Sequence, residues 1–229
     1  MHKVGAPSNF DWRDRDVVTS VKDQGSCGGC WTFAAAAYSE SRLIIAGDYN
    51  KNNIDLSEQY LLECTYNSDC RGGYMEYVME SVKTCPKESE YPYRPFSSYS
   101  GICSASGIRT GYDNYDYYDL SDGELIDLLL QGPVAISIAS SGWSSYGSGV
   151  FQCSSSAPVD HAVLLVGYTS SYWIVKNQWG SSWGEDGYIR VARGSNDCKI
   201  GTSAHILHEG SLGLTLIALL GLLFAVLFY

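Results

Sequence analysis

Apolar residues change their spacing midway along the chain. Residues 31–46 are rich in Ala, Leu and Ile and stop at Gly47, which predicts a helix closed by a C-terminal glycine. Ser57 before Glu58, Gln59, Tyr60, Leu61 and Leu62 predicts a short N-capped helix. Tyr74, Tyr77, Val78 and Val82 recur at helical spacing across 73–83. Residues 84–118 are rich in Tyr, Ser, Pro and Gly and read as loop with short extended pieces. Ser121 and Glu124 form a capping-box pattern ahead of 125–130, and Gly132-Pro133 ends that helix. Beyond it the period falls to two. Residues 134–138 alternate, 162–166 are a short wholly apolar run, and 172–175 and 187–192 complete the strands. The fold class is therefore α+β: a mainly helical half, a mainly β half, and a cleft between them where a site is commonly built.

Composition narrows this picture. At 229 residues the chain can bury one sizeable core or two packed halves. The formal charge is −10 and no basic stripe exists, so no nucleic-acid partner is expected. Eight cysteines in so short a chain point to an oxidising compartment. No second C-x-x-C and no H-x₃₋₅-H pair occurs, so neither a zinc site nor any other metal is expected. The first seven residues lack the apolar stretch of a signal peptide, which leads us to expect a piece of a longer precursor, or a chain whose leader has been removed. Residues 211–229 carry no charge and no polar face at a period of 3.6. As a helix they would span about 28 Å, close to the hydrocarbon thickness. A tail over 209–229 is thus expected to be a transmembrane anchor or an exchanged GPI signal.

Residues 24–31, Gln-Gly-Ser-Cys-Gly-Gly-Cys-Trp, carry the strongest chemical signal. A cysteine on a turn that opens a helix sits where free N–H groups and the helix dipole favour the thiolate, the form that attacks. The octapeptide alone leaves three uses open: a structural disulfide, a redox pair of Cys27 with Cys30, or a nucleophile. A nucleophile needs a base. Of the four histidines, His161 begins an apolar strand in the run Asp160-His161-Ala162. Alone it would read as an ordinary structural histidine, and Asn177 as a turn former.

Together, Gln24, Cys30-Trp31, Asp160-His161-Ala162 and Lys176-Asn177-x-Trp179-Gly180-x-x-Trp183-Gly184 form an ordered set that resembles the papain family of cysteine peptidases, of the cathepsin L and papain type. The resemblance runs from about Phe10 to Ile206. It implies a papain-like fold in a peptidase domain over 1–208, with a helical half over roughly 10–118 and a β-barrel-like half over roughly 119–208. It implies a Cys30 nucleophile, a His161 base oriented by Asn177, a Gln24 side chain that donates to the oxyanion, and a Trp179 shield over the His161–Asn177 pair. Endopeptidase action through an acyl-enzyme follows, with no cofactor. Gly72 and Gly73 resemble the glycine pair that meets an extended substrate. Tyr74, Met75, Ser137, Val159, Asp160 and Ser203 fall around the main specificity pocket. That pocket implies a preference for an apolar or aromatic residue two positions before the cleaved bond. The resemblance also pairs Cys27 with Cys70, Cys64 with Cys103 and Cys153 with Cys198. It leaves Cys30 free and Cys85 either free or an alternative partner for Cys64. Gln178 stands where the family commonly has Ser. Implied partners are polypeptide substrates and an inhibitory pro-segment or cystatin-like inhibitors, the protein acting as a monomer in a lysosome-like or extracellular compartment. The alternatives are a catalytically silent papain-like binding protein and a thiol–disulfide oxidoreductase, which would require a Cys27–Cys30 bond.

Overall fold

The computed structural model describes residues 5–66, 69–94, 103–104, 106–110, 114–154 and 156–208. Four α-helices occur among them: α1 (Cys30–Ala46), α2 (Glu58–Cys64), α3 (Met75–Ser81) and α4 (Asp122–Leu129). Three of them are bounded by a local signal. Gly47 takes φ 88° and its N–H bonds to the carbonyls of Ile44 and Leu43, closing α1. Ser57 accepts from the Tyr60 N–H to start α2. Ser121 and Glu124 exchange both bonds of a capping box at α4.

Ten strands follow in chain order: β1 (Phe10–Asp11), β2 (Thr84–Cys85), β3 (Ile108–Arg109), β4 (Asn114–Tyr118), β5 (Val134–Ile138), β6 (Val150–Phe151), β7 (His161–Tyr168), β8 (Tyr172–Lys176), β9 (Tyr188–Ala192) and β10 (Ser203–His208). Strands β2 and β3 pair with each other. The rest form one eight-stranded sheet in the order β4-β10-β5-β7-β8-β9-β6, with β1 also paired to β7. All pairings are antiparallel except β6 with β9.

Strand β7 is buried along its whole length, which explains the unbroken apolar run 162–166 within it. Its residues alternate between two cores. Ala162, Leu164 and Val166 pack into a core with Trp31, Ala34 and Tyr38 of α1. Val163 and Leu165 pack into a second core with Leu125 and Leu129 of α4. One strand thus divides helices from sheet on one side and closes the β-rich core on the other.

Among the described residues no helix is long and apolar enough to cross a membrane. The tail expected over 209–229 lies outside the described residues.

Candidate active site

Cys30 is the first residue of α1 and its thiol is free. The opening N–H groups of a helix have no intrahelical acceptor, so the thiol sits at a positive pole. Its place is secured by the loop before it. Cys27 is bonded to Cys70, and the Gly28 N–H donates to the Cys70 carbonyl at 2.8 Å. The Cys27–Cys30 bond that a redox centre requires is therefore not formed. Cys64 pairs with Cys103 and Cys153 with Cys198. Cys85 is free and buried, its thiol directed to the carbonyls of Ser57 and Pro86.

His161 opens β7 and lines the same groove as Cys30. Its Nε2 lies 2.8 Å from Asn177 Oδ1. A carbonyl oxygen only accepts, so Nε2 carries the proton and Nδ1 is left as the basic nitrogen. Asn177 follows β8, and its own N–H donates to the Gly187 carbonyl at 3.0 Å. The His161 ring lies 5.1 Å from the Trp179 ring and 5.9 Å from the Trp143 ring, which it meets edge-on. These indoles leave His161 only 7% exposed.

Charge at the two groups is contested. Burial pushes the Cys30 thiol up. Hydrogen bonding to the backbone of Ala162 and Trp31 opposes this, while the Asp160 charge adds to it. Burial pushes His161 down, against the pull of the Asn177 bond and of Asp160. Asp160 is itself held by the Ser140 N–H at 2.8 Å and the Ser140 hydroxyl at 2.9 Å.

Gln24 is buried beside this pair. Its Nε2 donates to the Cys27 carbonyl at 2.8 Å, and its Oε1 accepts from Trp179 Nε1 at 3.2 Å. A primary amide has two N–H groups, so one remains for a further acceptor.

The groove has a volume of about 600 Å³ and runs between α1, the 69–76 segment, the start of β7 and the end of β5. Gly72, Gly73, Tyr74, Met75, Ser137, Val159 and Asp160 all line it. Ser203 pairs in register with Ser137. Gly73 is required by close approach: a Cβ there would stand 2.5 Å from the Trp31 ring. Met75 is buried while Tyr74 and Val159 are exposed. The sequence reading missed three charged residues on this wall, Asp69, Arg71 and Glu76, and so described the groove as more neutral than it is. Asp69 and Arg71 neutralise each other across 2.6 Å. It also missed Trp143, whose carbonyl accepts from Trp183 Nε1, and Tyr93, whose hydroxyl donates to the Gln24 carbonyl at 2.9 Å. A tryptophan within the polar run Ser-Gly-Trp-Ser-Ser was the available signal for the first.

Residues 6–208 match the family described as papain family cysteine protease. The chain is 40% identical over 217 residues to human cathepsin O, covering 87% of this chain and 65% of that protein. It spans between 45% and 65% of the length of the first curated relatives it matches. Among solved structures, the Carica candamarcensis cysteine protease CMS1MS2 in complex with E-64 superposes with a TM-score of 0.77 at 33% identity, over 89% of this chain and 99% of the other. Digestive procathepsin L 3 of the Tenebrio molitor larval midgut superposes with a TM-score of 0.79 at 34% identity, over 90% and 71%.

Proposed function

Because this chain belongs to the papain family of cysteine proteases, we propose that it is an endopeptidase that cleaves peptide bonds through Cys30 and His161. One observation carries the reading: a free cysteine at the head of α1 lines one groove with a histidine whose far nitrogen is held by Asn177.

The chemistry follows from those positions. His161 Nδ1 takes the Cys30 proton, and the resulting thiolate attacks the substrate carbonyl carbon. The oxyanion is met by the Cys30 backbone N–H and the second N–H of Gln24; loss of one such donor costs about 2.7–4 kcal/mol of barrier. The tetrahedral species collapses, the C–N bond breaks, and the His161 imidazolium gives its proton to the leaving amine. Water, deprotonated by His161, then attacks the thioester and releases the acid and the thiol. Asn177 keeps the ring in the tautomer that this cycle needs, and Trp179 keeps water from their bond.

Met75, Tyr74, Val159 and Ala162 in the groove favour an apolar or aromatic side chain two positions before the cleaved bond. Three disulfides support an oxidising compartment, lysosome-like or extracellular. An inhibitory pro-segment is the expected regulator. The tail at 209–229 holds the chain to a membrane; the full chain should sediment with membranes, and a chain ending at residue 208 should not. Equal partitioning of the two would reject the anchor.

The deciding experiment is labelling with E-64, the compound that occupies the Carica relative. Refolded protein with its disulfides intact should gain one adduct at Cys30 and none at Cys85, which is fully buried. A dipeptidyl fluorogenic substrate with Leu or Phe at the second position should be turned over, and Cys30→Ala should abolish this. An unmodified Cys30, or turnover that survives Cys30→Ala, overturns the proposal.

A further inference from the structure

The β7–β8 ladder pairs Leu164 with Lys176. Carrying that antiparallel register two residues further sets Ala162 opposite Gln178. The backbone leaves the ladder before that rung. The Asn177 N–H goes to Gly187 at 3.0 Å, and the Gln178 carbonyl accepts from the Gln24 N–H at 2.9 Å. The side chain of Gln178 takes the vacated rung: its Nε2 donates to the Ala162 carbonyl at 2.8 Å and lies 3.5 Å from His161 Nε2. A side-chain amide is chemically a peptide donor. Gln178 is only 5% exposed, so bulk water does not compete for the bond. On its other side Ala162 is paired with Ser137 of β5.

We propose that Gln178 is a positioning residue for His161. Its amide grips Ala162 where β8 no longer can, and so sets the place of the adjoining imidazole against Cys30. Through its backbone the same residue anchors Gln24, so one side chain and one carbonyl tie the base to the oxyanion donor. The inference rests on the proteolytic reading above. The charged and titratable groups around the ring are Asp160 beside it, Cys30 in the same groove, and Asp69, Arg71 and Glu76 further along the wall. Lys22, Glu40, Glu58 and Lys176 lie behind Asn177 and Gln178.

Two substitutions test it. Gln178→Met keeps length and volume but removes the donor. Its kcat should fall about 10- to 100-fold, the scale of an ångström-level misplacement, with KM within about twofold of wild type. Gln178→Glu replaces the donor by a carboxylate next to the ring. In a Cys30→Ala background, where no activity is needed, the His161 ring signals followed by NMR should titrate at higher pH than in the Cys30→Ala protein itself. A Gln178→Met enzyme with wild-type kcat overturns the proposal. So does a loss of rate that only tracks a loss of E-64-titratable sites, because that is a folding defect. An unmoved His161 titration in folded Gln178→Glu protein also overturns it. If Gln178→Glu does not fold, the Met variant decides. A wild-type chain that neither turns over substrate nor takes E-64 instead rejects the proteolytic reading, and the NMR comparison still reports on Gln178.

Discussion

At His161 two demands compete. The ring has to accept a proton, and its bond to Asn177 has to be kept from water. Burial under Trp143 and Trp179 serves the second and opposes the first, pushing the imidazole down while Asn177 and Asp160 pull it up. Asn177→Ala removes the leading one of these pulls. Its kcat should drop on the order of 10- to 100-fold with KM little changed, and the His161 ring should titrate lower by NMR. An unchanged kcat would mean that packing against the two indoles holds the ring unaided. On the opposite wall, Gly73→Ala would drive a methyl into the fully buried Trp31 ring. Urea unfolding should show a loss of about 1–3 kcal/mol, and KM should rise as the wall shifts. Cys30, His161, Asn177 and Gln24 were legible in the sequence because each sits in a local motif and the motifs come in order. Trp143, Tyr93 and the Gln178 side chain were not, because their partners lie far along the chain and nothing local says which atom they meet.

At the level of elements, legibility followed the source of the signal. Helix α1 has a stop glycine, α2 a capping serine and α4 a capping box, and these were read from neighbouring residues alone. Ser121→Ala should cost about 1 kcal/mol by thermal or urea unfolding and leave E-64 labelling of Cys30 intact, because the cap lies outside the groove. A labelling defect of the same size as the stability loss would show that α4 supports the site directly. Strands β1 and β6 carry no such signal. Each is two residues long and exists through its partner, β1 on β7 and β6 alongside β9. The apolar run 162–166 was recognised as a strand, but its two faces serve different cores, a division invisible without the helices in place.

For the molecule as a whole, helices and sheet also meet over a charged cluster behind the site, largely buried, with Asp55 exposed at its rim. Lys22 lies 2.6 Å from Glu58 and 2.6 Å from Asp55, Thr19 donates to Glu40 at 2.6 Å, and Lys176 donates to Thr19 at 3.2 Å. Burial pushes Glu58 up to about 8 from 4.5, Lys22 pulling against this and Glu40 adding to it. Between those values the folded protein holds a proton that the unfolded chain has shed. This contribution to stability is complete below about pH 4.5 and is lost as pH rises through about 8. His161, pushed down from 6.5, works in the opposite sense, but only below about pH 6.5. Lys176, pushed down to about 8 from 10.5, adds stability with rising pH only above that window. The melting temperature should therefore fall from about pH 6.5 to 8, and Glu58→Gln should flatten that fall. A wild-type curve that rises across this interval would refute the assignment.

The sequence by itself determined the four α-helices, the longer central strands of the second half and the family, and it singled out Cys30, His161, Asn177 and Gln24 as the candidate reactive groups, because caps, periodicity and motif order are written in near neighbours. The three disulfides are those the family resemblance implied, but only the tertiary structure decided between the open uses of the octapeptide and left Cys85 free, Cys27 holding a loop while Cys30 stays a free thiol. It also decided which indoles bury His161 and which side chain completes the β7–β8 ladder. The physical reason is that burial, packing and shared hydrogen bonds depend on distances in space between residues remote in the chain, and a local pattern records nothing of those distances.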